Sequence, residues 1–418
     1  MERIRITGGK FLEGKVKIKG AKNAILPIIA CCIMIKSEVI LHECPHLADI
    51  ESMLKIIRAG GGVAEYEGDS LVINCKNFSP YCIDDSYTCT LRASLFVLGP
   101  MLSAFKSASV CYPGGCEIGL RPIDLHLSGL KSLSVNIECG NGRIECDGLN
   151  MKNGDVFLDF PSVGATENVI MASTLLDGTT RIYNCAKEPE ICDLANFINV
   201  MGGKVLGAGT DRITVEGVKS LSGGRYFPIK DRIVAGTHLI AGALMGKEVV
   251  VDGVNPAFLI PLTEKLIGSG AKISTELRRI TVKNSSQRRA VKRTETQPYP
   301  GFPTDLQPQL TAYLAQCRGC SIVVENLFEN RFNYTLQLQK MGADITVRNR
   351  VAIIKGVKRL KGCEVEAKDL RGGASLVIAG LCAEGITEVS SVHHIDRGYE
   401  NIENDFIMLG AQIKRLKN

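Results

Sequence analysis

The sequence predicts an α/β protein of two domains, built from six βαβαββ-type units, three per domain, with sheets outside and buried helices inside. Three observations predict this fold class. The length of 418 residues exceeds the size at which one hydrophobic core usually keeps growing. A short phrase recurs six times along the chain, and six very apolar helical segments recur at the same spacing.

Each recurring phrase places a glycine or another small residue at the end of a helix and then starts a short alternating strand. Successive copies are offset by about 70 residues, which is the size of a supersecondary unit and not of a short solenoid repeat. In most copies a helix precedes the phrase and a second strand follows it. The copies occupy residues 59–63, 133–137, 201–205, 269–273, 341–345 and 409–413.

The apolar segments are rich in Ala, Leu, Ile, Val and Met on all sides, which is typical of helices at the centre of a domain. They are predicted to begin near Asn23, Arg92, Gly164, Arg232, Asp305 and Arg371. A helix N-terminus exposes unpaired N–H groups and a partial positive charge. Several such ends aimed at one cleft would therefore hold an anion.

The composition is that of an ordinary globular protein. With 50 basic and 44 acidic residues, the net charge of +6 suits an anionic small molecule but is too diffuse to indicate nucleic-acid binding. The longest apolar run, residues 24–35, is interrupted by Pro27 and too short to span a bilayer, and no leader is apparent. We expect a cytoplasmic protein with no membrane partner.

Cysteine is frequent, with 16 residues, and in a chain of this size the cysteines are expected to be reduced thiols. Cys317 and Cys320 have the spacing of a zinc ligand pair, but a second pair at matching spacing is missing. We therefore expect no metal site and no organic cofactor.

One cysteine has a distinctive neighbourhood. In residues 113–124, glycines flank Cys116, and Arg121 and Asp124 follow within eight positions. Glycines on a loop often form turns and nothing more, and most cysteines in such a chain are not catalytic. A mobile loop with an adjacent cation is nevertheless how a reactive thiol would be delivered to a substrate.

Eight dispersed motifs together resemble the UDP-N-acetylglucosamine enolpyruvyl transferase (1-carboxyvinyltransferase) family of the EPSP synthase superfamily, over essentially the whole chain. The motifs occupy residues 20–24, 91–94, 113–126, 162–166, 303–307, 329–331, 369–371 and 394–400. The resemblance implies a two-domain inside-out α/β barrel. It also implies an N-terminal lobe of residues 22–230 that carries the cysteine loop, a C-terminal lobe of residues 1–21 plus 231–418, and an active site in the cleft between them.

The implied reaction transfers the enolpyruvyl group of phosphoenolpyruvate to the 3-hydroxyl of UDP-N-acetylglucosamine by addition and elimination, with release of phosphate. It is the first committed step of peptidoglycan synthesis, and its partners are these two small molecules. The implied catalytic residues are Cys116 as general acid, Asp305 as base, Lys22 and Arg397. The oligomeric state is not predicted.

Two binding sets follow from the resemblance. Those implied for phosphoenolpyruvate are Lys22, Asn23, Arg92, Arg121, Arg331, Arg371 and Arg397. Those implied for UDP-N-acetylglucosamine are Asn23, Arg92, Arg121, Pro122, Ile123, Asp124, Leu125, Ser162, Val163, Gly164, Asp305 and Leu327. Other family members can carry a lysine at the position of Phe160, so here either another cation replaces the usual charged contact to the diphosphate or binding there is looser.

Two alternatives stand beside this interpretation. The sister enzyme transfers the same group to shikimate 3-phosphate, but the Cys116 loop is typical of the nucleotide-sugar branch. A catalytically silent paralogue that binds a UDP-sugar would need none of the catalytic residues, yet all of them are present. At residue level, Asp305 could also be a simple helix cap.

Overall fold

The protein is described by a computed structural model that covers residues 2–80, 92–112 and 123–417, with the backbone alone at residues 92 and 93. Short 3₁₀ helices span Cys32–Met34, Arg92–Val97, Pro256–Leu259, Thr304–Leu306 and Val392–His394. The α-helices of the described ranges are α1 (Lys22–Cys31), α2 (Ala48–Ala59), α3 (Leu98–Phe105), α4 (Asp124–Ser132), α5 (Val163–Ser173), α6 (Pro189–Val200), α7 (Arg232–Met245), α8 (Ile260–Gly268), α9 (Gln307–Leu314), α10 (Thr335–Lys340), α11 (Leu370–Cys382) and α12 (Ile402–Met408).

The strands of the same ranges are short, mostly three to six residues. They are β1 (Arg3–Thr7), β2 (Leu12–Lys17), β3 (Val39–Leu41), β4 (Val63–Glu67), β5 (Ser70–Asn74), β6 (Ser107–Cys111), β7 (Asn136–Gly140), β8 (Arg143–Asp147), β9 (Asp155–Phe157), β10 (Thr179–Tyr183), β11 (Val205–Leu206), β12 (Arg212–Glu216), β13 (Gly224–Tyr226), β14 (Gly246–Asp252), β15 (Lys272–Glu276), β16 (Arg279–Lys283), β17 (Arg293–Glu295), β18 (Cys320–Val324), β19 (Asp344–Arg348), β20 (Val351–Lys355), β21 (Glu364–Glu366), β22 (Ile386–Ser390) and β23 (Gln412–Leu416).

The described residues form two compact units. The C-unit consists of residues 2–19 and 230–417, and the N-unit consists of residues 20–80, 92–112 and 123–229. Each unit has its own continuous hydrophobic core.

Within each unit the sheets follow one plan. The C-unit sheets have the orders β21-β22-β1-β23, β15-β16-β14-β2 and β17-β18-β20-β19. The N-unit sheets have the orders β11-β12-β10-β9, β13-β3-β5-β4 and β6-β8-β7. In the four-stranded sheets one edge pair is parallel and the other two pairs are antiparallel, as a βαβ crossover followed by a hairpin produces.

Two sheets have an edge strand that comes from a distant part of the sequence. Strand β2 precedes the first passage, yet it pairs in parallel with β14, which follows the second passage, with Val16 opposite Val251. Strand β13 precedes the second passage and pairs in parallel with β3, with Arg225 opposite Ile40. Each of these two sheets is therefore completed by a strand that is distant in sequence but belongs to the same unit.

Six helices are buried along nearly their whole length, namely α1, α3 and α5 in the N-unit and α7, α9 and α11 in the C-unit. Around them, strands such as β16 and β20 alternate buried and partly exposed residues. The predicted arrangement of sheets around apolar helices is thus confirmed within each unit. The predicted helix starts are confirmed to within about two residues, except that 3₁₀ helices at Arg92–Val97 and Thr304–Leu306 precede α3 and α9.

All six recurring phrases form the same helix end. In the copy at 341–345 the Gly342 N–H bonds to the Gln339 carbonyl and the Ala343 N–H to the Leu338 carbonyl, a Schellman motif. The residue that takes the left-handed conformation is Gly61, Gly202, Gly270, Gly342 or Gly410 in five copies. In the sixth copy it is Ser134, with φ of 62°.

Among the described residues no helix is both long enough and apolar enough to cross a membrane. The cysteines of these residues are thiols, apart from Cys111, which is disulfide-bonded and so departs from the expectation. Cys317 is buried while Cys320 is exposed, and the described ranges contain no cluster of His, Cys, Asp and Glu suited to a metal ion.

Candidate active site

In the C-unit, the carboxylate of Asp305 is bound by two buried arginines. Arg331 Nη2 lies 3.0 Å from Asp305 Oδ1, and Arg371 Nη2 and Nε lie 2.9 Å and 3.2 Å from Oδ2. The side chain of Asp305 is 26% exposed, whereas each arginine side chain is 3% exposed. Three residues far apart in sequence, all predicted for the site, therefore meet at the start of α9.

Each guanidinium group is held by Asp305 and by an aromatic ring. Burial lowers the pKa of Arg371, but the Asp305 carboxylate, with Tyr399 and Asp231, outweighs burial and raises it above its ordinary value. Arg371 packs over the ring of Tyr399, and Arg331 over the ring of Phe328. Arg331 Nε and Arg371 Nη1 are buried without a hydrogen-bond partner in the described structure, so donor capacity remains for an anion.

This arrangement bears on the role of Asp305. Each of its oxygens accepts from a guanidinium group, so Asp305 does more than cap a helix. Capping is carried out elsewhere by Asp231 for α7 and by Asp369 for α11, whose carboxylates accept from backbone N–H groups. To take a proton from a hydroxyl, Asp305 needs a lone pair that the arginines leave open.

Arg397 lies half-buried on the turn after the 3₁₀ helix Val392–His394, and that turn is fixed on both sides. Arg415 donates all five of its N–H groups to carboxylates, among them both oxygens of Asp396 at 2.9 Å and 2.7 Å. On the other side, Lys19 Nζ lies 2.8 Å from Glu400 Oε2. The backbone that carries Arg397 is therefore held by two ion pairs.

In the N-unit, Lys22 begins the buried helix α1. Its Nζ lies 2.9 Å from Asp49 Oδ2, and both side chains are more than nine-tenths buried. The next residue, Asn23, is exposed. A buried ammonium beside an exposed amide, at a helix start without a side-chain cap, is suited to binding an anionic group.

The starts of α4 and α5 lie against each other. Ser162 Oγ accepts from the Ala165 N–H and so caps α5. A side chain at Gly164 would come within 3 Å of the His126 ring in α4, and His126 is itself within 2.8 Å of Asn168. A side chain at 164 would have to displace the His126 ring, so glycine allows the two helix starts to approach as they do.

The remaining residues predicted for the nucleotide sugar lie on these and one further element. Ile123 is buried, Asp124 is exposed at the first turn of α4, and Leu125 and Val163 are partly exposed. Leu327 is partly exposed on the loop after β18 in the C-unit. Phe160, at the position of the expected lysine, is 46% exposed.

Several predicted residues lie outside the part that the structure describes. These are Cys116, Arg121 and Pro122, together with the side chain of Arg92. The predicted mobile loop of residues 113–124 falls mostly in the same gap. Their roles stay predictions from the sequence.

Four residues of these surroundings were not found from the sequence: Asp49, Glu167, Glu325 and Arg415. Each is an ordinary acid or base in its own segment, and its surroundings depend on the tertiary structure. Glu167, for example, is fully buried in α5, and neither of its carboxyl oxygens has a hydrogen-bond partner in the described structure. The available signal was a single glutamate in a helix that carries no other charged residue.

Comparison with known proteins identifies the family. The family model of EPSP synthase (3-phosphoshikimate 1-carboxyvinyltransferase) matches residues 6–406. The chain is 47% identical over 416 residues to UDP-N-acetylglucosamine 1-carboxyvinyltransferase 2 of Caldanaerobacter subterraneus subsp. tengcongensis, with 100% of both chains covered. It is 44% identical over 417 residues to UDP-N-acetylglucosamine 1-carboxyvinyltransferase of Halothermothrix orenii, again with 100% of both covered.

A solved structure supports the same fold. The enolpyruvyl transferase NikO from Streptomyces tendae superposes with a TM-score of 0.88 at 21% identity, covering 100% of this chain and 99% of that one. At this identity the likeness concerns the fold alone. With the full-length relatives and the family model, these findings show that the chain belongs to the EPSP synthase family, in the branch of the UDP-N-acetylglucosamine 1-carboxyvinyltransferases.

Proposed function

We propose that this chain transfers the enolpyruvyl group of phosphoenolpyruvate to the 3-hydroxyl of UDP-N-acetylglucosamine and releases phosphate. One observation carries the proposal: Asp305 is paired with Arg331 and Arg371 in a chain that is 47% identical, end to end, to a relative of that name. As an enzyme of peptidoglycan synthesis it would act in the cytoplasm, and its partners would be the two substrates.

The chemistry needs one proton donor, one base and several cations. In the addition step, the Cys116 thiol gives a proton to carbon 3 of the enol, and carbon 2 becomes electrophilic. The sugar oxygen bonds to carbon 2 while Asp305 takes its proton. In the elimination step, carbon 3 gives a proton to the Cys116 thiolate and the double bond re-forms, while the bond from carbon 2 to the phosphate oxygen breaks and phosphate leaves with the electron pair of that bond. Asp305 then releases its proton to solvent.

The cations have a separate task. Lys22, Arg121 and Arg397 hold the phosphate and carboxylate of phosphoenolpyruvate, whose charge grows at the departing phosphate. Arg331 and Arg371 hold Asp305 in place and keep buried N–H groups for substrate. Asn23, the first turns of α4 and α5, and Leu327 contact the nucleotide sugar.

Phosphate release from phosphoenolpyruvate, measured with UDP-N-acetylglucosamine or with shikimate 3-phosphate as acceptor, tests the proposal. Turnover is expected when UDP-N-acetylglucosamine is the acceptor and not when shikimate 3-phosphate is the acceptor. Turnover with shikimate 3-phosphate would favour the sister enzyme, and binding of the nucleotide sugar without any turnover would favour a silent paralogue.

Two variants sharpen this test. Cys116→Ala and Asp305→Asn are each expected to lose about 100-fold or more in kcat, the usual contribution of a general acid or base, while still binding UDP-N-acetylglucosamine. Asp252→Asn is the matched control, because Asp252 also pairs with two cations, Lys15 and Arg279, but belongs to β14 and has no proposed role. It should keep wild-type turnover.

A further inference from the structure

Glu325 is a buried carboxylate that the reaction does not use directly. It follows β18, is 0% exposed, and forms no ion pair with any described lysine or arginine. Four uncharged donors surround it. The charge of Glu325 is therefore held by hydrogen bonds alone, which are strong and directional when the acceptor is ionised.

The two oxygens of this carboxylate hold two different segments. Oε2 accepts from the Thr304 hydroxyl at 3.0 Å. Oε1 accepts from the backbone N–H groups of Leu327 and Phe328 at 2.9 Å and 3.2 Å, and also from the hydroxyl of Thr296 at 2.8 Å. One side chain thus joins the 3₁₀ helix Thr304–Leu306 to the loop after β18.

Both segments carry groups assigned to the reaction. Thr304 immediately precedes Asp305, and its carbonyl accepts from Arg331 at 3.3 Å. Phe328 supplies the ring over which Arg331 packs, and Leu327 is the predicted nucleotide-sugar contact. Asp305, the proposed base, and Arg331, which binds its Oδ1, are therefore both connected to the Glu325 carboxylate. The connections run through Thr304 and Phe328.

We propose that Glu325 is a positioning residue for the proposed reaction, which fixes Asp305 for proton abstraction through the Thr304 hydroxyl and fixes the Leu327–Phe328 loop through its N–H groups. The inference rests on the proposed function. A 3₁₀ helix of three residues has few internal hydrogen bonds. The hydrogen bond from Thr304 to Glu325 therefore determines the position of its side chains. A displacement of about 1 Å at a reacting group can cost about 100-fold in rate.

Thr304→Val tests this link without removing the buried charge, which Glu325→Ala would do at the risk of unfolding. Thr304→Ser keeps the hydroxyl and serves as the rescue variant. Thr294→Val is the matched control, because Thr294 in β17 is a buried threonine whose hydroxyl has no hydrogen-bond partner among the described residues. Each variant is assayed for kcat by phosphate release and for the Kd of UDP-N-acetylglucosamine by calorimetry.

We expect Thr304→Val to lower kcat about 10-fold to 100-fold with the Kd changed less than about threefold, since the contact positions a reacting group and not the bound sugar. Thr304→Ser and Thr294→Val should keep wild-type kcat. Wild-type kcat in Thr304→Val, or an equal loss in Thr294→Val, overturns the inference alone. A wild-type protein that releases no phosphate overturns the proposed function and the inference together.

Discussion

Lys22 and Asp49 form a buried ion pair, with Lys22 Nζ 2.9 Å from Asp49 Oδ2. Lys22 is proposed to bind phosphoenolpyruvate, so its ammonium group must contact both the Asp49 carboxylate and the phosphate of the incoming substrate. Before substrate binds, Asp49 offsets the cost of burying this charge. If Lys22 binds phosphoenolpyruvate as proposed, we expect this pair to couple the stability of the fold to the binding of an anion.

Replacing Asp49 with Asn should expose that coupling. We expect a loss of about 3 kcal/mol in the free energy of unfolding, because a buried ammonium loses its counter-charge. Saturating inorganic phosphate should raise the melting temperature of the variant more than that of the wild type. Glu216→Gln, which breaks the exposed pair with Lys204, is the control and should change little. Equal phosphate-induced shifts would refute the coupling.

Glu167 predicts a particular pH dependence of stability. Burial, and then the nearby Glu190 and Glu188, raise the pKa of Glu167 well above its ordinary value. The folded protein therefore holds this proton at pH values where the unfolded chain, with a pKa of about 4.3, releases it. Stability is lost as the pH rises from the unfolded pKa towards the folded one, by at most about 1.4 kcal/mol per pH unit.

Glu167→Gln removes this titration while keeping the shape of the side chain. Urea denaturation from about pH 5 to about pH 8 should show the variant gaining on the wild type as the pH rises. The exposed Glu216→Gln should run parallel to the wild type. A constant difference between Glu167→Gln and wild type would mean that Glu167 does not keep its proton on folding.

Ser134 carries a conformational cost that its five counterparts avoid. Ser134→Gly should raise the free energy of unfolding by about 0.5–1 kcal/mol, because glycine enters the left-handed region without the clash of Cβ. Gly342→Ser is the inverse test, since no heavy atom lies within 4 Å of a Cβ placed there and the backbone is the remaining cost. It should lose about as much as Ser134→Gly gains, and changes of the same sign would contradict this account.

Cys116 should be the thiol that an electrophilic phosphonate epoxide such as fosfomycin alkylates. Among the described cysteines, burial raises the pKa of Cys75 and Cys146 to about 12, while Cys139 and Cys320 are exposed. Peptide mass spectrometry should find the adduct on Cys116, and Cys116→Ala should resist alkylation. The double variant Cys139→Ala/Cys320→Ala should still be inactivated, whereas an adduct on either of those residues with full activity retained would contradict the assignment.

The sequence was most informative where structure is local. The helix ends of the six phrases depend on glycine and a hydrogen-bond pattern that spans six residues, so their positions could be read directly. The apolar helices were also recognisable, because burial on all sides leaves no polar face. Ser134 shows that the backbone conformation persists even where the residue that signals it is absent.

Long-range pairing could not be read in this way. Nothing in the segment around Glu325 indicates that Thr304 and two backbone N–H groups will converge on it, and Arg415 lies in an ordinary polar strand. The arginines of the site were found through the family resemblance, but their common attachment to Asp305 depends on tertiary structure: Arg371 reaches it where α9 and α11 pack together, and Arg331 reaches it from the loop between β18 and α10. The pairing of β2 with β14 and of β13 with β3 likewise depends on the topology of the whole unit.

The positions of β1 and β2 in their sheets affect how the protein folds during synthesis on the ribosome. Strand β1 is an interior strand between β22 and β23, and the residues that pair with Thr7, Ile386 and Gln412, are translated 379 and 405 residues later. The residues of β1 are therefore translated long before their partners, and those of β2 are translated long before β14. Until β22 and β23 have been translated, β1 has no partner strand in its sheet, and an unpaired strand is prone to misassociation.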